Sequence, residues 1–197
     1  MELQKFKDDY MVKVKGGIYK PSFEEIEKIV FDIEVSKYLV TKKMWSDIMG
    51  DISLETKRNN EPTENITWWK ALEFCNKLSE KYGLEPVYDL SKSKQGILAI
   101  RELKEKTIKT VDPKTANFKN TEGFRLPTEI EWEWCYDTEE MENIKSLHFN
   151  FDPSSAYRRI RGGSWLHTAE SCTTLYRIFE TAAYVVLNTG FRIVRTI

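Results

Sequence analysis

The sequence lacks the apolar runs that secretion and membrane insertion require. Its first residues, Met1 to Lys5, do not form a basic stretch followed by an apolar one. No run approaches the roughly 18 apolar residues of a transmembrane helix. The sequence as written therefore predicts a protein without membrane insertion and with a cytoplasmic location. Display on a cell or virion surface stays open if a leader has been removed.

Histidine and cysteine are also scarce, and neither sign of charge is in excess. The two His residues lie far apart and the three Cys residues show no C-x-x-C spacing, which argues against a metal site or a disulfide framework. Thirty Lys and Arg residues nearly balance 31 Asp and Glu residues, so nucleic-acid binding is disfavoured. Ser164 lacks a G-x-S-x-G pattern, which disfavours hydrolase chemistry. We expect no metal ion and no cofactor.

The chain does have the length for a core and many aromatic residues. Its 197 residues are 13% aromatic and include six Trp. A chain of this size buries enough surface for one large domain. Large flat side chains suit a loop-rich fold. We predict a single domain that spans residues 1–197.

Two helices are marked by the residues that begin them. Thr41 caps a helix predicted over residues 42–49, and Thr67 caps the clearest helix in the chain, predicted over residues 68–82. A Gly follows each of them, as is common at helix ends. Cys75 lies on the apolar stripe of the second helix, and we interpret it as a buried side chain rather than a nucleophile.

A third helix start and several extended segments are also predicted. Thr128 and Glu131 form a capping box, and the cap and the helix dipole explain the acidic residues of this turn better than acid/base chemistry does. Residues 51–65 are predicted as a solvated loop, and residues 91–119 as a peripheral hairpin or loop. Residues 11–19 alternate between apolar and polar and end in a Gly pair, which predicts a strand that runs into a turn, and residues 31–35 alternate again. Residues 38–40 continue this extended signal, and residues 85–88 are also predicted to be extended.

The C-terminal part of the chain differs from the rest in composition. Residues 166–188 contain three charged residues, Glu170, Arg177 and Glu180, and no Lys. Residues 174–187 can be interpreted as a helix with one apolar face, but their many β-branched and aromatic residues argue against it, and propensity does not decide. A rigid frame is predicted at the two ends of this segment, formed by Arg161, Gly162, Gly163, Ser164 and Trp165 and by Gly190, Phe191 and Arg192.

Several motifs occur in the order of a known family. They are Val40-Thr41, Asn65-Ile-Thr-Trp68 with Ala71, Arg125-Leu-Pro-Thr-Glu129 with Glu131-Trp132, Arg161-Gly-Gly-Ser-Trp165 and Gly190-Phe-Arg192. Over roughly residues 10–195 the chain resembles the formylglycine-generating-enzyme (sulfatase-modifying-factor) family. The resemblance implies an α+β fold, the irregular C-type lectin fold of that family. Two main helices, near 68–82 and 128–134, and short antiparallel sheets are expected.

The enzymes of this family bind copper through two cysteines five residues apart. On the resemblance, Cys172 falls at the first of these positions and Arg177 at the second, where a guanidinium cannot replace a soft thiolate ligand of Cu(I). The calcium sites of the enzymes are expected to be missing as well. The resemblance therefore argues against an enzyme, and a copper- and thiol-dependent oxidase, or a degenerate relative that uses Cys172, is the alternative.

A second branch with the same fold consists of the variable proteins of diversity-generating retroelements. Their mutated cassette begins near the Gly-Gly-Ser-Trp motif and ends near Gly-Phe-Arg, as in this chain. Randomising the adenines of an Asn codon cannot give Lys, Gln, Glu, Met or Trp. Residues 166–188 contain none of these five except Glu170 and Glu180, which would be fixed framework positions.

The resemblance implies a non-catalytic binding protein with a variable segment at about residues 161–192. Its expected partner is a macromolecule, a protein rather than a nucleic acid. The third interpretation is a buried core segment with no role at the surface. If the segment is displayed, an apolar and aromatic patch would bind the partner. The ligand-binding residues predicted are Leu166, His167, Thr168, Thr174, Leu175, Tyr176, Ile178, Phe179, Tyr184, Val185, Val186 and Leu187.

Overall fold

A computed structural model describes residues 2–19, 27–50, 59–93, 99–102, 107–110, 118–127, 157–161, 177–185 and 189–197. Three helices lie in these ranges: α1, Glu2–Tyr10; α2, Lys42–Met49; and α3, Trp68–Lys81. The predicted bounds of α2 are confirmed, and α3 ends one residue earlier than predicted. α1 was not predicted. The helix expected from Thr128 lies outside the described residues.

The caps of α2 and α3 form as the sequence predicts. The Thr41 hydroxyl accepts a hydrogen bond from the Met44 amide, and the Thr67 hydroxyl accepts one from the Lys70 amide, both at 3.2 Å. Each bond satisfies an amide that has no partner within its helix. Gly50 ends α2 with a φ of 75°, a left-handed conformation that glycine adopts without strain.

Within the described ranges, ten short strands form four antiparallel sheets. The orders are β1-β4-β10, β2-β3, β5-β6-β7 and β8-β9. The strands are β1, Met11–Val14; β2, Gly17–Tyr19; β3, Lys28–Val30; β4, Ile33–Ser36; β5, Tyr88–Asp89; β6, Ala99–Glu102; β7, Thr107–Thr110; β8, Tyr157–Arg161; β9, Arg177–Thr181; and β10, Val194–Thr196. Three helices and small antiparallel sheets confirm the predicted α+β class.

The strand predictions hold in type and fail in detail. The strand at residues 11–14 ends before the Gly pair, where a turn was predicted, but residues 17–19 form a second strand that was not predicted. At the break, the Gly16 amide donates to an Asp32 carboxylate oxygen at 2.7 Å. Residues 38–40 lie outside any strand. The hairpin predicted within residues 91–119 is present as β6 and β7.

Two segments predicted to lie at the surface carry buried residues. Ile100 of β6 and Phe118 belong to the hydrophobic core, so the peripheral placement of residues 91–119 is wrong at these two positions. Thr63 is also buried, which contradicts a fully solvated loop at residues 51–65. These core positions are set by the hydrophobic cluster as a whole, whose members lie between Phe6 and Ile193 in the sequence, and no local pattern marks them.

The core is built around α3. Trp68, Leu72 and Phe74 are fully buried on this helix, and the Trp45 ring of α2 stacks on Phe74 at 5.5 Å between centroids. Cys75 is buried on the same helix, as predicted. Burial raises the pKa of the Cys75 thiol because the apolar core disfavours the thiolate. This thiol is therefore part of the packing and is not a nucleophile.

The two ends of the chain meet in one sheet. β4 lies between β1 and β10, and Glu34 of β4, only 1% exposed, contacts a cation from each side. Its carboxylate lies 2.7 Å from Lys7 Nζ and 3.3 Å from an Arg195 guanidinium nitrogen. A buried carboxylate needs such partners to offset the loss of its hydration. None of the helices in the part of the chain described is long and apolar enough to cross a membrane.

Candidate ligand-binding surface

The segment with the unusual composition, residues 166–188, follows β8 and contains β9, which pairs with β8. One face of β8 is fixed to the core, because Ile160 is buried there and the Arg158 guanidinium carbon lies 4.1 Å from the centre of the Trp68 ring. A cation over the face of a Trp ring is attracted by the ring quadrupole, and burial strengthens the attraction. β8 thereby fixes the N-terminal end of the segment against α3.

β9 decides between the two interpretations of residues 174–187. Residues 177–181 form a strand that pairs with β8 in register, so the helical alternative is wrong for them. Ile178 and Phe179 lie in this strand. The pairing with β8 supplies the backbone hydrogen bonds that a helix would have supplied internally, and β-branched and aromatic residues favour that outcome.

The chain then turns and leaves two large apolar residues at the surface. The Tyr184 amide donates to the Thr181 carbonyl oxygen at 3.0 Å, and Ala182 is buried inside the turn. Tyr184 is 58% exposed and Val185 is 42% exposed. The small residue of this turn thus contributes to the core, while its large apolar residues stay in contact with solvent.

The C-terminal frame of the segment is packed into the core. The Phe191 ring is fully buried, edge-on to Phe74 at 5.4 Å and to Trp45 at 6.2 Å between centroids. The Val40 amide donates to the Phe191 carbonyl oxygen at 2.9 Å. Gly190 passes close to a loop, where an added Cβ would lie 3.2 Å from the carbonyl oxygen of Thr63. Only glycine fits that approach without displacing its neighbours.

Beyond the frame, the chain is fixed by further backbone bonds. Val194 and Arg125 exchange both of their backbone hydrogen bonds at 2.9 Å, and the Ile193 amide donates to the Ser36 hydroxyl at 3.2 Å. The described residues on both sides of the segment are therefore anchored to the same core. This arrangement can hold the two ends of the segment in place whatever side chains it carries between them.

Only part of the predicted site lies in the described ranges. Ile178 and Phe179 are in β9, Tyr184 and Val185 are exposed after it, and Arg161 ends β8. Gly190, Phe191 and the half-buried Arg192 form the C-terminal frame. The other predicted positions lie outside the described residues; they are Gly162, Gly163, Ser164, Trp165, Leu166, His167, Thr168, Thr174, Leu175, Tyr176, Val186 and Leu187.

Three contacts of the frame were not foreseen from the sequence. The Arg158 guanidinium over Trp68, the carbonyl oxygen of Thr63 beside Gly190 and the Val40 amide bonded to Phe191 all join residues far apart in the chain. Val40 belongs to the family motif Val40-Thr41, so the sequence did mark this residue. Nothing near Arg158 in the sequence distinguishes it from a surface arginine.

A model of the sulfatase-modifying factor enzyme 1-like domain matches residues 8–136 of the chain. The chain belongs to this family. That confirms the resemblance drawn from the motifs. The family includes both enzymes and members without enzymatic activity, so membership alone does not assign a reaction.

Similar proteins agree with the fold. Treponema denticola variable protein 1 superposes with a TM-score of 0.62 at 20% identity over 95% of each chain, and CarF superposes with a TM-score of 0.64 at 14% identity over 95% of this chain and 98% of its own. These likenesses confirm the C-type lectin fold of the formylglycine-generating-enzyme type. Chaperone protein LppX of Paenibacillus barcinonensis is 32% identical over 141 residues, 64% of this chain and 45% of LppX. The chain thus spans about half the length of that relative.

The residues that would carry the chemistry of the family's enzymes are only partly described. Arg177, at the position where the resemblance places the second copper-binding cysteine, is the first residue of β9 and pairs with Arg161 of β8. Cys172 lies outside the described residues, as do both histidines. Among the residues that the structure describes, no three His, Cys, Asp or Glu side chains are grouped so that they could hold a metal ion.

Proposed function

We propose that this protein is a non-catalytic binding protein whose C-terminal segment, residues 161–192, is a diversified surface for another protein. One observation carries the proposal. The described ends of the segment are packed into the core through Ile160 and Phe191, while Tyr184 and Val185, which lie between those ends, are exposed. The backbone is thus held by one set of residues, and a different set is available to a partner.

The exposed residues are of the kind that binds proteins. Tyr184 and Val185 are adjacent and stay 58% and 42% exposed, although burial would remove their apolar surface from water. Exposed apolar residues that cluster mark interaction sites more often than single ones do. A Tyr ring adds contact area at a low cost in side-chain entropy, as in antibody loops.

The division between buried ends and exposed positions explains how the segment could vary without loss of the fold. A substitution at an exposed position such as Tyr184 changes the free energy of unfolding by no more than about 0.5 kcal/mol in either direction. Truncation of a buried ring such as Phe191 costs about 3–5 kcal/mol. A diversified segment needs tolerant positions between intolerant ends. The composition of residues 166–188 fits adenine mutagenesis at every position except Glu170 and Glu180, which would be fixed framework positions.

Two similar proteins support this class of function by their names. Treponema denticola variable protein 1 shares the fold, and the relative from Paenibacillus barcinonensis is named a chaperone protein. A copper- and thiol-dependent oxidase would instead use Cys172 together with a second soft ligand. Arg177 cannot supply that ligand, because a guanidinium has no lone pair for a metal.

The DNA around the coding sequence tests the proposal first. We expect a near-identical template repeat of the codons for residues 166–188, with adenines at the codons that vary, beside a reverse-transcriptase gene. A locus with neither a repeat nor a reverse transcriptase would contradict diversification. A protein-level test is the addition of Cu(I) and a cysteine-containing peptide, with Cys172→Ser as the control. Copper uptake and peptide oxidation that depend on Cys172 would contradict the non-catalytic assignment.

A further inference from the structure

The edge of β1 carries exposed valines on one face of the strand and an exposed lysine on the other. Val12 and Val14 are 43% and 45% exposed, and Lys13 between them and Lys15 after them are exposed as well. Side chains of a strand alternate between its faces, so the two valines share one face and Lys13 lies on the other. Half of the exposed large apolar residues in the described ranges lie in or near this strand, at Tyr10, Val12, Val14 and Ile18. Exposed apolar residues that cluster in this way mark interaction surfaces.

The hydrogen-bond pattern of β1 shows which of its backbone groups point away from the sheet. The Tyr10 carbonyl oxygen accepts from the Lys37 amide at 2.8 Å, in register with the pairing of β1 and β4. Bonded pairs in an antiparallel ladder recur at every second residue. The backbone groups of Val12 and Val14 therefore face β4, whereas the N–H and C=O of Lys13 face outward. Within the described ranges, no strand pairs with this side of β1 and no group bonds to the outward N–H and C=O of Lys13.

The Lys13 ammonium has no partner in the part of the chain described. Its cross-strand neighbour, Glu34, already contacts two other cations. A cavity of about 270 Å³ is lined by residues of α1, β1 and β4, with Lys13 among them. The second carboxylate of that cavity, on Asp8, accepts a hydrogen bond from the Gln4 side-chain amide at 2.7 Å. The edge of β1 thus offers a positive charge with open space beside it.

The charges of this edge disfavour a second copy of the chain as its occupant. In an antiparallel pair centred on Val14, Lys13 of each copy would lie opposite Lys15 of the other. Like charges directly opposite each other destabilise such a pair. Lysines on an edge strand are a common device against pairing between identical edges. A strand with acidic residues at alternate positions would instead meet Lys13 and Lys15 with the opposite charge.

We propose that the β1 edge, residues 12–15, binds an extended segment of another protein in which acidic and apolar residues alternate. The segment adds to the sheet as an antiparallel strand and bonds to the outward N–H and C=O of Lys13. Its acidic residues share the face of Lys13, and its apolar residues share the face of Val12 and Val14. The site goes beyond the proposed function and does not depend on diversification. β10, which follows the C-terminal segment, lies on the other side of β4 from β1.

A short fluorescein-labelled peptide of alternating Glu and Val, titrated with the full chain, tests the inference by fluorescence anisotropy. We expect saturable binding that weakens as salt rises, because exposed ion pairs are screened. Lys13→Gln with Lys15→Gln should raise the Kd about fivefold, through loss of two exposed ion pairs. The matched control is Lys81→Gln with Lys92→Gln, which also removes two exposed lysine charges and should leave the Kd unchanged.

A comparison at one residue separates strand addition from charge attraction. Lys13→Pro and Lys13→Gln both remove the ammonium, and only proline also removes the outward N–H. Edge strands tolerate proline where its nitrogen faces away from the sheet. We expect the Kd of Lys13→Pro to exceed that of Lys13→Gln about fivefold, which corresponds to one hydrogen bond.

N-methylated peptides replace the proline variant if circular dichroism shows that it has lost its fold. The peptide residues opposite Lys13 are the acidic ones, so their amides bond to β1 and the amides of the apolar residues face away. N-methylation of the Glu amides should therefore abolish binding to the native chain, and N-methylation of the Val amides should preserve it. Equal binding of the two peptides would overturn strand addition.

The remaining outcomes are equally direct. No saturable binding by the native chain, an equal loss in the Lys81 and Lys92 control, or equal Kd values for the folded Pro and Gln variants would overturn the inference. Equally tight binding of a peptide with the same residues sorted into a Val block and a Glu block would also overturn it, because that peptide keeps the charge and loses the alternation. Sedimentation should show a monomer, and a dimer that Lys13→Pro abolishes would assign the edge to a second copy instead.

Discussion

Phe191 joins the end of the C-terminal segment to the core, and its truncation to Ala tests how firmly that end is held. The ring is 0% exposed and lies edge-on to Phe74 and Trp45. Removal of a buried Phe side chain costs about 3–5 kcal/mol, which combines the lost transfer free energy with the cavity left behind. Aromatic pairs of this geometry account for about 0.5–1.5 kcal/mol of such a loss.

That loss is large compared with the stability of a typical domain. A folded domain is stable by about 5–15 kcal/mol, so Phe191→Ala removes a substantial fraction. For a chain of this length, each kcal/mol shifts the melting temperature by about 2–4 °C. We therefore expect the Tm of Phe191→Ala to fall by about 6–20 °C, measured by circular dichroism or calorimetry.

Tyr184→Ala is the matched control within the same segment. Its side chain is 58% exposed, so the expected change in the free energy of unfolding is at most about 0.5 kcal/mol, or about 1–2 °C. Equal effects of the two substitutions would refute the division into a buried frame and an exposed surface. A large loss at Tyr184 would instead favour the interpretation of the segment as core.

Substitutions at three further positions test single contacts. Gly190→Ala sets a Cβ 3.2 Å from the Thr63 carbonyl oxygen, and we expect a loss of about 1–3 kcal/mol in urea unfolding; an unchanged midpoint would show that this loop yields freely. Thr67→Ala removes the cap of α3 and should lower the free energy of unfolding by about 1 kcal/mol, whereas Thr67→Ser should retain most of that stability. Equal losses of stability in the Ala and Ser variants would argue against the cap. Asp89 accepts a hydrogen bond from the Ser91 amide, which lowers the pKa of its carboxyl in the folded state. The stabilisation from this carboxylate is therefore present above the unfolded pKa of about 3.9 and is lost as the pH falls through the pKa of the folded state. Asp89→Asn should therefore have a lower urea midpoint than the native chain near pH 7 and the same midpoint near pH 2.

The helices show where the sequence was sufficient and where it was not. α2 and α3 were predicted because Thr41 and Thr67 satisfy amides three residues away, and such bonds depend on few other residues. α1 was missed because its apolar contact is remote. Phe6 packs against Tyr82 at 4.9 Å and Phe124 at 5.6 Å between centroids, and neither residue is near it in the sequence.

The sheets depended on long-range pairing in the same way. The hairpin of β6 and β7 was predicted because its strands are neighbours in sequence. The sheet of β1, β4 and β10 joins the first strand of the chain to the last, and no local pattern indicates that pairing. The core positions of Ile100 and Phe118 were missed because the cluster they belong to draws its members from along the chain, between Phe6 and Ile193.

For the candidate surface, the sequence by itself determined the family, through its spaced motifs, and the unusual composition of residues 166–188. Tertiary structure alone decided that residues 177–181 are a strand, because β8 offers hydrogen-bond partners that propensity cannot anticipate. It also decided that Phe191 is buried while Tyr184 is exposed, although both are large aromatic residues of one segment. Local preferences act over a few residues, whereas burial depends on which distant residues pack against a side chain.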